Sequence, residues 1–276
     1  MRILTILDRI DRRIVYLLLA VVVFVPLKWT IFSLPLPITP EVQSAYDTIQ
    51  NMPKGKIAWI SVVWGPGTQA ENRTQMEVLV RHLFMKGVPF ILMPWDQQGT
   101  KVAEKQVEDL AKELHKKEGV DWISIGYRPG YLMNIIKGSI INMNKTLGTD
   151  RHGTPLYEIP MTKGKTISNV GLLIETTPSG TLNDWISYLG QPLQVPIIYC
   201  PTAVMVPDGY NYVDTKQVAG MLPGLTGAAQ YDELLHHTGF AQRGADALSM
   251  AHALVIALII VGNVGYVLTR RQRGSA

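Results

Sequence analysis

The sequence predicts an α/β protein: an open, mainly parallel sheet of about five strands, set between two helices that cross a membrane. Three observations predict it. Short apolar runs alternate with helical patterns through the middle of the chain. Long apolar segments stand near both ends. The composition is 47% hydrophobic and 17% charged, which fits an ordinary globular centre joined to apolar ends.

Arg2, Arg9, Arg12 and Arg13 precede the first apolar segment, Ile14–Leu34. As a helix it would be about 31 Å long, matching the roughly 30 Å hydrocarbon core. Lys28 can snorkel near its far end and Trp29 favours the interface, while Pro26 is placed to kink it. The following PLPITP is not a small-x-small cleavage pattern, so an uncleaved anchor is expected. The second span, Leu248–Leu268, is followed by Arg270, Arg271 and Arg273. Basic residues outside both spans place both termini in the cytoplasm. The expected order is a cytoplasmic N-terminus (1–13), a span (14–34), a periplasmic or extracellular α/β domain (35–247), a span (248–268) and a cytoplasmic tail (269–276). The membrane would be a bacterial inner, cytoplasmic one.

Five runs read as strands covered on both faces: Ile57–Trp64, Pro89–Trp95, Trp122–Tyr127, Val170–Thr176 and Val195–Tyr199. Between them, Thr68–Lys86 puts Met76, Leu79, Val80, Leu83 and Phe84 on one helical face. Thr100–Lys117 does the same with Ala103, Val107, Leu110, Ala111 and Leu114. Thr181–Leu189 reads as a shorter helix closed by Gly190. This alternation implies right-handed crossovers and a Rossmann-like sheet. Tyr131–Lys165 is less regular and reads as an insertion or flap, with Tyr131, Leu132, Met133, Ile135, Ile136, Ile140, Ile141 and Met143 as a candidate contact patch. After Tyr199 a loop with two short helices is expected.

The net charge of +4 sits largely at the tips, and no basic stripe interleaved with aromatics appears, so nucleic acid is not expected as a partner. The single cysteine, Cys200, forbids an intrachain disulfide and a cysteine zinc site. His152 is the one histidine placed near the strand ends, too little for a Cys/His enzyme. His236–His237 are adjacent, not four apart on one helical face. No G-x-S-x-G elbow appears. No catalytic residue, metal ligand or cofactor is therefore assigned.

Ligands of such sheets bind beyond the carboxyl ends of the strands. The candidate residues there are Gly65, Gly67 and Thr68 of the GPGT turn, Arg128 after the third run, and Glu175, Thr177 and Ser179 after the fourth. GPGT is not a GxGxxG phosphate turn, and Pro66 removes a donor. Thr68 and Glu71 have the spacing of a capping box, and Thr181 and Asp184 repeat it, so both helices are expected to cap themselves.

The last helix carries a polar seam. On a 3.5-residue repeat Ser249, Ile256 and Asn263 share one position, and His252, Ile259 and Tyr266 the other. Ser249, Ala253 and Ala257 recur every four residues, with Gly265 further along, allowing close backbone approach. An amide at Asn263 needs a partner inside the bilayer. The first span offers mainly Tyr16 and Thr30, so helices of other chains are the expected partners.

RGADALSMAHALVIALIIVGN, Arg243–Asn263, resembles the segment leading into the second span of uncharacterised bacterial two-pass membrane proteins with an extracytoplasmic Rossmann-like domain. In architecture alone the chain is also similar to auxiliary subunits of ABC-type transport and gliding systems. Neither resemblance brings catalytic residues. Together these readings point to a non-enzymatic assembly subunit of a homo- or hetero-oligomeric membrane complex, whose partners are lipid and other subunits or copies of itself. The alternatives are an extracytoplasmic ligand-binding, sensor or transport-accessory module and, behind it, a hydrolase.

Overall fold

A computed structural model describes residues 11–29, 36–129 and 132–273, the last six by backbone alone. Arg2, Arg9, Gly130, Tyr131 and the far end of the first predicted span, residues 30–34, lie outside the described residues. The chain forms two compact units: Leu36–His237, and the two terminal segments together.

The central unit is a six-stranded, wholly parallel sheet in the order β3-β2-β1-β4-β5-β6. The strands are β1 (Ile57–Val62), β2 (Phe90–Pro94), β3 (Trp122–Ser124), β4 (Val170–Thr177), β5 (Ile197–Pro201) and β6 (Gly220–Met221). The five apolar runs all become strands, because a parallel strand buried on both faces needs apolar side chains on both. The expectation of about five strands misses β6. It lies in the segment read as loop, and only two residues long it carries no alternation to read. Gly220 lets it in, since a Cβ there would sit 2.4 Å from the Ala45 backbone nitrogen. The order reverses between β1 and β4, as in Rossmann-like sheets.

One face carries α2 (Pro40–Gln50), α3 (Gln69–Lys86), α4 (Gln97–Glu113) and α9 (Gly224–Leu234). The expected apolar residues of α3, from Met76 to Phe84, are buried. In α4 Ala103, Val107, Leu110 and Ala111 are buried, but Leu114 is the C-cap and half-exposed. The other face is covered by α5 (Leu132–Leu147), by α6 (Leu182–Trp185), which runs through a π turn (Ile186–Gly190) into α7 (Gln191–Leu193), and by α8 (Val206–Asp214). Gly190 does not close that helix. The chain continues past it and turns at Gln194, whose φ is 54°. α5 occupies the segment read as irregular, with non-helical backbone at Asn142. Leu132, Ile136 and Met143 join the core there, whereas Ile141 remains 88% exposed.

In the terminal unit, α10 (Phe240–Arg273) is a 34-residue helix, and its Phe240–Val267 part is long and apolar enough to cross a membrane. It is the one such helix among the described residues. The described part of the first predicted span is α1 (Arg12–Lys28), 17 residues and about 26 Å, too short to count as a second. α1 packs along α10.

Candidate functional site

The site is built where the strand order reverses, at the carboxyl ends of β1 and β4 and on toward β5. Register sets Ser61, Glu175 and Tyr199 side by side on β1, β4 and β5, pointing to one face. Glu175 is fully buried. Thr181 donates its hydroxyl to Glu175 Oε1, while Oε2 has no hydrogen-bond partner among the described residues. Burial pushes Glu175 up to about 7, against a smaller opposite pull from Ser61, Thr181 and Trp185. From Thr181 a chain of hydroxyls reaches the turn: Thr177 Oγ1 lies 3.1 Å from Thr181 Oγ1 and 2.9 Å from Ser179 Oγ. Glu175, Thr177 and Ser179 are thus brought together.

The other predicted turn is closed. Gly65 leads into a 3-10 turn, Pro66–Thr68, ahead of α3. Trp64 is buried and donates to Thr176 Oγ1 at 3.1 Å. Trp95 donates to Ser61 Oγ at 3.0 Å. A Cβ on Gly65 would lie 3.1 Å from the Asp96 carboxylate, and one on Gly99 only 2.0 Å from the Trp64 carbonyl oxygen. The start of α4 thus packs directly against the chain just after β1.

The expected capping boxes do not form. Thr68 makes no side-chain cap, and its buried hydroxyl has no partner among the described residues. Glu71 reaches instead to the 3-10 turn after β5 and accepts the Ala203 N–H at 2.7 Å. Thr181 likewise caps nothing: its backbone is helical (φ −62°, ψ −19°), not the extended form of an N-cap, and its hydroxyl donates to Glu175. For Glu71 a partner 132 residues away replaces the local one, which sequence spacing cannot register. A phosphate at the start of α3 would face the Glu71 carboxylate.

Arg128 is held away from this group. Its Nη2 donates to the Thr149 carbonyl at 2.6 Å, fixing the chain after α5. His152 lies against Glu118 at 3.2 Å. Cys200 is fully buried, and burial first and Glu175 second push its thiol up, away from the thiolate a nucleophile needs.

Beside the β4 turn lies a cleft of about 440 Å³ that the sequence reading did not assign. Gly180 and Asn183 form one wall and Asp208, Asn211 and Tyr212 of α8 the other, with Tyr199 lining it too. Tyr212 donates its hydroxyl to Asn183 Oδ1 at 2.9 Å, joining the walls. Its ring meets Tyr199 edge-on, centroids 6.4 Å apart. Burial first, then Glu175, Tyr212, Cys200 and Asp208, raise the Tyr199 hydroxyl above its ordinary range, so it stays protonated as a donor. The available signal was VPDGYNYVD, a helix start with Pro near N1 that sets Asp208, Asn211 and Tyr212 three or four residues apart. Its pairing with a turn far upstream was not legible.

Along the Ala251–Val267 part of α10 the half-buried or buried residues are Ala251, Leu254, Leu258, Val261 and Gly265, spaced three and four apart and forming the stripe that faces α1. His252, Ile256, Ile259, Asn263 and Tyr266 are exposed, as are Ala253 and Ala257, while Ser249 is half-buried. Gly265 therefore parts from the small-residue row and belongs to the α1 side.

Comparison of the chain with protein-family models, with curated proteins and with solved structures finds no match.

Proposed function

We propose that this chain is a non-enzymatic membrane subunit that assembles through its last helix with copies of itself or with other subunits. One observation carries the reading. The seam His252, Ile256, Ile259, Asn263 and Tyr266 is exposed on α10, while a different stripe of that helix faces α1. An exposed Asn amide at bilayer depth is costly until it bonds across to another helix. In this reading the segment 14–34 is a second span, both termini are cytoplasmic, and the α/β unit lies outside a bacterial inner membrane, as the flanking arginines favour.

The test is the native mass of the full chain, extracted from its own membrane in mild detergent, for wild type and Asn263→Leu. A defined particle of several chains that dissociates in the variant supports the reading. A monomer in both overturns it.

A second reading, an extracytoplasmic ligand-binding or transport-accessory module, is favoured by the cleft of mixed polar and apolar lining between the β4 turn and α8. It is compatible with assembly through the terminal unit.

A further inference from the structure

We infer that the cleft between the β4 turn and α8 binds a small organic cation carrying a primary ammonium group. The inference rests on the ligand-binding reading and names its ligand class. Asp208 is an exposed carboxylate, and no Lys, Arg or His is among the residues lining the cleft. An anion would meet that carboxylate without a countercharge. A cation finds Asp208 as its counter-ion.

The remaining lining supplies what an ammonium group and a short carbon chain use. Asn183 and Asn211 offer amide oxygens, and Asn183 Oδ1 keeps a second lone pair after accepting from Tyr212. The half-buried ring of Tyr212 offers a π surface to which a cation is attracted. Leu182 and Met205 add apolar contact. Tyr199 itself is only 2% exposed, so its ring is fixed by packing before any ligand arrives. Gly209 allows that packing, since a Cβ there would lie 2.6 Å from Met221 Sδ and 3.3 Å from Tyr199 Cε1. The volume suits a molecule of a few carbon atoms with room for water.

The test uses the full chain in detergent with 4-amino-1-butanol and its neutral isostere 1,4-butanediol, read by calorimetric titration and by melting temperature. Binding of the amine with at least tenfold preference over the diol, weakened at least tenfold in Asp208→Asn, is the expected result. Asp208 is exposed, so the variant should melt at the wild-type temperature without ligand. That control separates lost binding from lost fold. Equal binding of amine and diol, or amine binding unchanged in Asp208→Asn, overturns the cation and leaves the ligand-binding reading standing. If the amine fails, a panel of sugars, amino acids and inorganic anions follows. A hit lost in Asn183→Leu again overturns only the ligand class. No shift from any compound overturns both.

Discussion

The two faces of the central sheet carry different kinds of buried polar group: amides that bridge distant segments on one, a carboxyl beside a cleft on the other. On the face under α3 and α9, polar side chains tie distant segments together. Gln75 donates to the carbonyls of Pro201, Leu222 and Gly224 at 2.7, 2.8 and 3.2 Å, joining the ends of β5 and β6 to the start of α9. Asn72 bonds both Gln75 Oε1 and the Cys200 carbonyl. His82 sits between Tyr231 at 2.7 Å and Gln50 at 3.2 Å and stacks on Tyr46. On the face under α6 and α8, Glu175 keeps one carboxylate oxygen without a partner among the described residues, and the surface beside it opens into a cleft. Elements that are cross-linked by buried amides hold a fold. A buried carboxyl with spare hydrogen-bonding capacity beside a cleft is where binding sites are expected.

The largest expected effect breaks the cross-linked face. Gln75→Leu removes the donor shared by three carbonyls and should destabilise by roughly 3–5 kcal/mol, read from denaturant unfolding of the full chain. A loss below about 1 kcal/mol would show that the amide is not what holds β5, β6 and α9 together.

The next effect concerns two of the buried titratable groups, Glu175 on one face and His82 on the other. Glu175 has its folded pKa raised from 4.5 to about 7. It is the protonated form that the fold prefers, so its contribution is complete below pH 4.5 and is lost as pH rises through about 7. That contribution is about 3 kcal/mol. Glu175→Gln should flatten the stability profile across this window. His82 runs the other way. Burial, and Lys86 after it, lower its pKa from 6.5 to about 4, so its contribution is present above pH 6.5 and is lost as pH falls toward 4. His82→Gln should flatten that acid limb. Profiles of both variants that parallel wild type would remove the distinction between the two faces.

The smallest effect sharpens the comparison of the two turns. A working N-cap is worth about 1 kcal/mol. Thr68 makes no cap bond, so Thr68→Ala should change stability by less than about 0.5 kcal/mol, whereas Glu71→Ala, which releases the Ala203 N–H, should cost more. A full capping loss in Thr68→Ala would restore the local pattern that the sequence suggests.

How much was legible divides by the range of the interaction. The five longer strands, the apolar face of α3 and the membrane-length apolar stretch of α10 follow from the order of residues alone. Each depends on a residue type repeating at the pitch of its own strand or helix, and that repeat is a local property. Glu175, Thr177 and Ser179 were named together because they follow one strand, and the fold does bring them together. Tertiary structure decided the rest. Whether Thr181 takes the extended backbone of a cap or a helical one, with its hydroxyl donating to Glu175, is set by the folded turn. Whether Gly220 belongs to a strand depends on α2 lying close enough to demand the absence of a side chain. The wall that Asn183 and Tyr212 share, and the stripe of α10 turned toward α1, depend on elements far apart in sequence. Apolar burial is non-directional and is written into composition and period. A hydrogen bond needs a partner within about 3 Å, and only the folded chain supplies it.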